Sequence, residues 1–141
     1  MMVIDRRLFI GLAGGWLTSG RGALAAQGSR KPLVKLTGVF GRLRSSTQGG
    51  DLVGLEIFIL RGRKGLVAVV SIAEGVPEDP VVVPVVAEGD AIRFEFLNGQ
   101  TKLKYQGTIR SDGLYGRFEN GAFSDRADGY FLLPRGSSYW Q

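Results

Sequence analysis

Between Val81 and Phe118 apolar and polar residues alternate with period two, and short turn-forming dipeptides interrupt the alternation at Gly89-Asp90, Asn98-Gly99 and Asp112-Gly113. Period-two runs joined by such dipeptides are the sequence signature of β-hairpins. A two-residue turn also sets register, so cross-strand pairs can be written down. Around Gly89-Asp90, Ala87 is expected to face Ile92, Val85 to face Phe94 and Val83 to face Phe96. Around Asn98-Gly99, Glu95 faces Lys102, Phe94 faces Leu103 and Ile92 faces Tyr105. Around Asp112-Gly113, Ile109 faces Gly116 and Gly107 faces Phe118.

Read this way, the three turns send one apolar set to one face: Val83, Val85, Ile92, Phe94, Phe96, Leu103, Tyr105, Ile109, Leu114 and Phe118. A slip of one residue at any turn would expose half of it. The same register places Arg93 opposite Lys104, an unfavourable like-charge pair. Gly107 and Gly116 lie opposite Phe118 and Ile109, and glycines in such positions mark sharp bends of a sheet.

Further strands are expected over Val34–Arg44, Val53–Leu60, Leu66–Ala73 and Val81–Glu88, with a last one over Tyr130–Leu133. Gly38 and Gly41 suggest a bend in the first. Ser45–Gly50, Arg61–Gly65, Glu74–Pro80 and Glu119–Gly129 read as connections. The chain from 34 to 141 is thus a single all-β domain, an antiparallel up-and-down meander of seven or eight strands. It closes as a small barrel or coils as an open sheet. Its architecture resembles that of the calycins, and none of their sequence motifs is present.

Three strands are apolar on both faces. Leu55, Ile57 and Ile59 alternate with Phe58 and Leu60, Leu66, Ala68, Val70 and Ile72 alternate with Val67 and Val69, and Val82, Pro84 and Val86 back onto Val81, Val83 and Val85. A solvated wall would carry polar residues on its outer side. Something is therefore expected to cover that side: another part of the chain, or a partner at a surface of Phe58, Val69, Val82, Pro84 and Val86. Pro84 favours an edge or a bulge. Two further readings attach to aromatic residues. Tyr139 and Trp140 either line a ligand mouth or plug the end of the barrel. Phe94 and Tyr105, with room left by Gly107 and Gly116, either touch an apolar ligand or fill the core.

Composition narrows the chemistry. The chain has no His and no Cys, which removes Ser-His-Asp and Cys-His catalysis, the usual zinc ligands and any disulfide. Asp125 and Asp128 share a glycine-bearing loop, but calcium takes six or more oxygens, and a solvated turn is the simpler reading. Glu56 and Glu95 are expected to be solvated carboxylates on different strands rather than an acid–base pair. Thr47–Gly50 precedes a strand, so it is no phosphate cradle. No catalytic, cofactor-binding or metal-binding residue is assigned.

The first 26 residues read as an export signal, with basic Arg6 and Arg7, an apolar run from Leu8 to Leu17 and a small-residue exit at Ala23–Ala25. Asp5-Arg6-Arg7-Leu8-Phe9-Ile10 resembles the twin-arginine signal, with Gly11 where Lys is usual. That resemblance implies export of a folded domain by the twin-arginine machinery; the small-residue exit puts cleavage near Ala25-Ala26, giving a periplasmic or secreted product, and the polar residues 27–33 read as a mobile lead-in. The Asp112-Gly113-Leu114 turn and the Ser138-Tyr139-Trp140-Gln141 ending resemble exported bacterial proteins to which no activity is attached. Losing Arg6, Arg7, Arg21 and Asp5 takes Lys plus Arg from 18 to 15 and Asp plus Glu from 13 to 12, lowering the net charge from +5 to +3. The remaining basic residues are interspersed with acids, which does not make a nucleic-acid footprint.

Two functions are expected from these readings. The first is a non-enzymatic envelope protein that binds another protein, or a second copy of itself, through the apolar sheet surface. The alternative is a calycin-like carrier of a small apolar ligand.

Overall fold

The computed structural model of the chain describes residues 33–141. The proposed export signal and nearly all of the lead-in lie outside the described residues.

Ten antiparallel strands form one sheet, and no helix occurs among the described residues. They are β1 (Gly38–Gly41), β2 (Arg44–Ser45), β3 (Leu52–Gly62), β4 (Gly65–Gly75), β5 (Val81–Pro84), β6 (Val86–Glu88), β7 (Ala91–Asn98), β8 (Thr101–Ile109), β9 (Gly113–Phe118) and β10 (Phe131–Gly136). From β2 to β5 and from β6 to β10 each strand neighbours the next in sequence, and β1 lies between β3 and β10, joining the first part of the meander to the last. The two remaining ends of the path, β5 and β6, are consecutive in the chain. The result is an up-and-down sheet nearly closed into a barrel.

Ten strands exceed the expected seven or eight because two predicted strands are interrupted. The first breaks at Arg42-Leu43, where the Arg42 carbonyl occupies the position that a side chain at Gly54 would need. Both halves keep one register against β3, with Gly41 opposite Glu56 and Arg44 opposite Val53. The predicted Val81–Glu88 strand breaks at Val85, where it changes partner. Val81 to Pro84 pair with β4, and Val86 to Glu88 pair with β7. The Val85 amide still donates to the Leu66 carbonyl at 2.9 Å. Val83 therefore faces Ala68 rather than Phe96, and the expected Val85–Phe94 pair does not form.

Of the three hairpin registers, only the Gly89-Asp90 one is right at the turn, with Ala87 opposite Ile92, and it holds only as far as Val86. At the second, Asn98 pairs with Thr101 and the turn is Gly99-Gln100. Gly99 has φ 58° and Asn98 is not in the left-handed region. A turn with glycine first and a single positive φ is the II′ pattern, whereas a turn centred on Asn-Gly needs both residues left-handed. At the third, Arg110 and Gly113 close the turn and Ile109 faces Leu114.

Each shift moves pairing by two residues and so preserves parity. Phe94 faces Tyr105, Phe96 faces Leu103 and Tyr105 faces Phe118, all inward. The predicted Arg93–Lys104 repulsion disappears: Arg93 faces Gln106, and Lys104 faces Glu95. Glu95 still meets Lys102, diagonally, at 3.2 Å.

Every member of the predicted inner set belongs to or packs on the core, which β3, β4 and β10 complete with Leu55, Ile57, Ile59, Ala68, Val70, Phe131 and Leu133. Aromatic rings run through it. Phe94 stacks on Tyr105 at 5.0 Å, and Tyr105 meets Phe118 edge-on at 5.2 Å. Arg135 of β10 ties down the entry to β1, donating to the Thr37 carbonyl at 2.9 Å and the Lys35 carbonyl at 2.6 Å. Its guanidinium also lies over the Phe40 ring.

Candidate functional site

The outer side of β1, β3, β4 and β5 carries two apolar cross-strand rows. Val39, Phe58, Val69 and Val82 stand in register across the four strands, and Leu60, Val67 and Pro84 form the next row. They point outward because their neighbours Phe40, Ile57, Ile59, Ala68 and Val70 point in. Phe58 is 42% and Val82 64% exposed, while Val69 is half-buried between them. Pro84 is exposed on β5, the end of the strand path, where a missing amide costs no ladder bond. Val86 is exposed too but belongs to β6, past the partner switch. The five predicted surface residues thus resolve into a contiguous group, Phe58, Val69, Val82 and Pro84, with Val86 at its border.

The third row on this side is Glu56 and Ser71. Glu56 was expected to be solvated and is instead 6% exposed, the buried carboxylate among the described residues. The C-terminal segment covers it. Ser138 Oγ donates to Glu56 Oε1 at 2.7 Å, and the Tyr139 amide donates to Oε2 at 2.8 Å. Two bonds to a charged acceptor offset the cost of withdrawing it from water. Gly41, directly opposite Glu56, leaves the room that its side chain takes. The Ser45 and Tyr139 hydroxyls, 3.0 Å apart, hold the segment on its other side.

Held this way, Trp140 borders a groove of about 520 Å3, whose floor is Glu56, Phe58, Val69 and Ser71 and whose far wall is Pro77, Glu78, Asp79 and Pro80. Tyr139 and Trp140 therefore lie on the outer side of β3 rather than at the barrel mouth, and they are not brought together with Phe94 and Tyr105. Nothing in the local sequence announces the Glu56–Tyr139 contact, because its partners are 83 residues apart.

Gly107 and Gly116 face each other across β8 and β9. The space above them is filled: a methyl on either would collide with the Tyr105 hydroxyl and with backbone oxygen. Tyr105 is 2% exposed, and its hydroxyl has no hydrogen-bond partner. Burial holds its phenol well above the ordinary 10.0.

The remaining candidates are accounted for by local contacts. Asp128 takes Arg126 at 2.9 and 3.1 Å and the Tyr130 amide at 3.0 Å, which hold its carboxyl below the usual range. On the outer side of β9 and beside the start of β10, Tyr115 and Tyr130 stack at 5.3 Å with Arg110 and Arg117 over their rings, so those faces are taken. No cluster of potential metal ligands occurs among the described residues.

No protein-family model matches the chain, and neither curated proteins nor solved structures show a significant match to it.

Proposed function

We propose that this chain is an exported, non-enzymatic binding protein of the cell envelope, acting through the apolar outer face of β1, β3, β4 and β5. The observation that carries this reading is the row of Val39, Phe58, Val69 and Val82, which spans four strands without a charge and stays partly open to water. Contiguous apolar surface of that kind on a folded domain marks an interaction site. Export rests on the pattern of residues 1–26, including the twin-arginine-like pair Arg6 and Arg7, and places the product in the periplasm or outside the cell. The non-enzymatic reading rests on the lack of His and Cys and on the engagement of Glu56, Glu95 and Asp128 by their neighbours. The carrier reading is not favoured, because Tyr105 fills the space that the paired glycines leave.

Val69→Asp tests the proposal. The substitution puts a charge at the centre of the row without touching the core. Affinity capture from an envelope extract is expected to retain a partner, or more of the chain itself, with the natural protein and not with the folded variant. Equal capture by both would contradict the reading.

A further inference from the structure

Along β4 the apolar face has charged ends, and they are of opposite sign. The β3–β4 hairpin tip, at one end, carries Arg63 and Lys64, both exposed. At the other, the loop after β4 carries Glu78 and Asp79, both exposed and lining the outer groove. None of these four has an ion-pair partner in the described chain. By contrast, every ion pair between described residues joins side chains from Glu88 onward, on the half of the barrel away from this face. The apolar half has no ion pair of its own among the described residues.

The spacing of the ends is symmetric about the row. The Glu78 amide donates to the Ile72 carbonyl at 2.9 Å, which sets Glu78 level with residue 72 of β4. Lys64 immediately precedes β4. The midpoint of 64 and 72 is 68, next to Val69, and the distance between the ends is about 26 Å at strand spacing.

We infer that the occupant of this face is a second copy of the chain, packed about a two-fold axis that passes beside Val69. This rests on the reading of the face as a binding surface and names its partner. A two-fold interface uses the same patch twice, so a feature at one end must complement a feature at the other. Rotation about an axis lying in the interface and crossing the strands at Val69 lays the Val39–Phe58–Val69–Val82 row on its own copy, sets the Leu60–Val67–Pro84 row against the other copy's groove beside Trp140, and brings Arg63 and Lys64 of each copy to Glu78 and Asp79 of the other. Trp140, beside the groove, lies where an aromatic anchor would be buried. The face between the charged ends covers about 400 Å2 per copy, which sets the association at the weak, reversible end of specific interfaces.

Sedimentation of the full chain, from about 1 µM to about 1 mM, reads the association. One variant carries Arg63→Glu and Lys64→Glu, the other Glu78→Lys and Asp79→Lys; all four sites are exposed, and circular dichroism checks the fold. The natural chain is expected to form a dimer weakened by salt, each variant alone to dissociate at least about tenfold more readily, and the equimolar mixture to recover the natural affinity. Recovery is the decisive arm, since only facing opposite ends exchange partners in this way. A natural chain that stays monomeric throughout overturns the inference, as does a dimer indifferent to both reversals. If the chain is monomeric yet Val69→Asp still abolishes capture of a different protein, the binding face stands and the two-fold partner falls. If the chain is monomeric and capture is unchanged, both fall.

Discussion

The Tyr139 amide donates to Glu56 Oε2 at 2.8 Å, joining the C-terminal segment to the middle of β3 on the outside of the barrel. Through it, a charge that would interrupt an apolar face is withdrawn from the surface and its place taken by Trp140. Glu56→Ala removes the acceptor of two hydrogen bonds and leaves their donors without a partner. It is expected to cost about 1–3 kcal/mol and to release the segment. Hydrogen exchange at the Tyr139 and Trp140 amides checks this, with exchange in Glu56→Ala rising toward that of an unstructured terminus while β8 stays protected.

Gly116→Ala is expected to destabilise the domain by about 1–3 kcal/mol, read as a lower midpoint in urea, because the new methyl meets the Gln106 carbonyl as well as the Tyr105 hydroxyl. Removing that hydroxyl relieves one collision and leaves those with the Gln106 carbonyl and the Gly107 backbone. The double change Gly116→Ala with Tyr105→Phe should therefore regain part of the loss and not all of it.

Tyr105→Phe alone is expected to raise stability by about 1 kcal/mol, since it removes a buried hydroxyl with no partner and leaves the ring packing intact. The same hydroxyl gives a pH dependence. Its folded-state pKa lies above the ordinary 10.0, so below that value the phenol is protonated folded or unfolded and stability is unaffected. Above about pH 10 unfolding releases the proton, and stability falls as pH rises further. Urea midpoints between about pH 8 and about pH 11 should decline for the natural chain and decline less for Tyr105→Phe.

The inward-facing set is legible in the sequence because parity survives errors that register does not. Misplacing the Asn98-Gly99 turn by one residue shifts pairing by two, so Phe94 changes partner from Leu103 to Tyr105 yet still points inward. The break at Val85 is not legible, because both halves of the segment are good strand and only the closing of the sheet decides where the partner changes. The apolar face is visible as two-sided strands, but its uncharged middle and charged ends need the alignment of β3, β4 and β5. Glu56 reads as solvated because its cover arrives from the other end of the chain.

A spin label at Val69→Cys tests the central claim most directly, and with no native cysteine it is the only thiol in the chain. At high protein concentration strong dipolar coupling is expected between labels on two copies. Coupling should fade as labelled chain is mixed with excess unlabelled natural chain, and a label at Glu95→Cys, on the opposite wall, should show none. A Val69 label that remains mobile and uncoupled at every concentration would contradict the account.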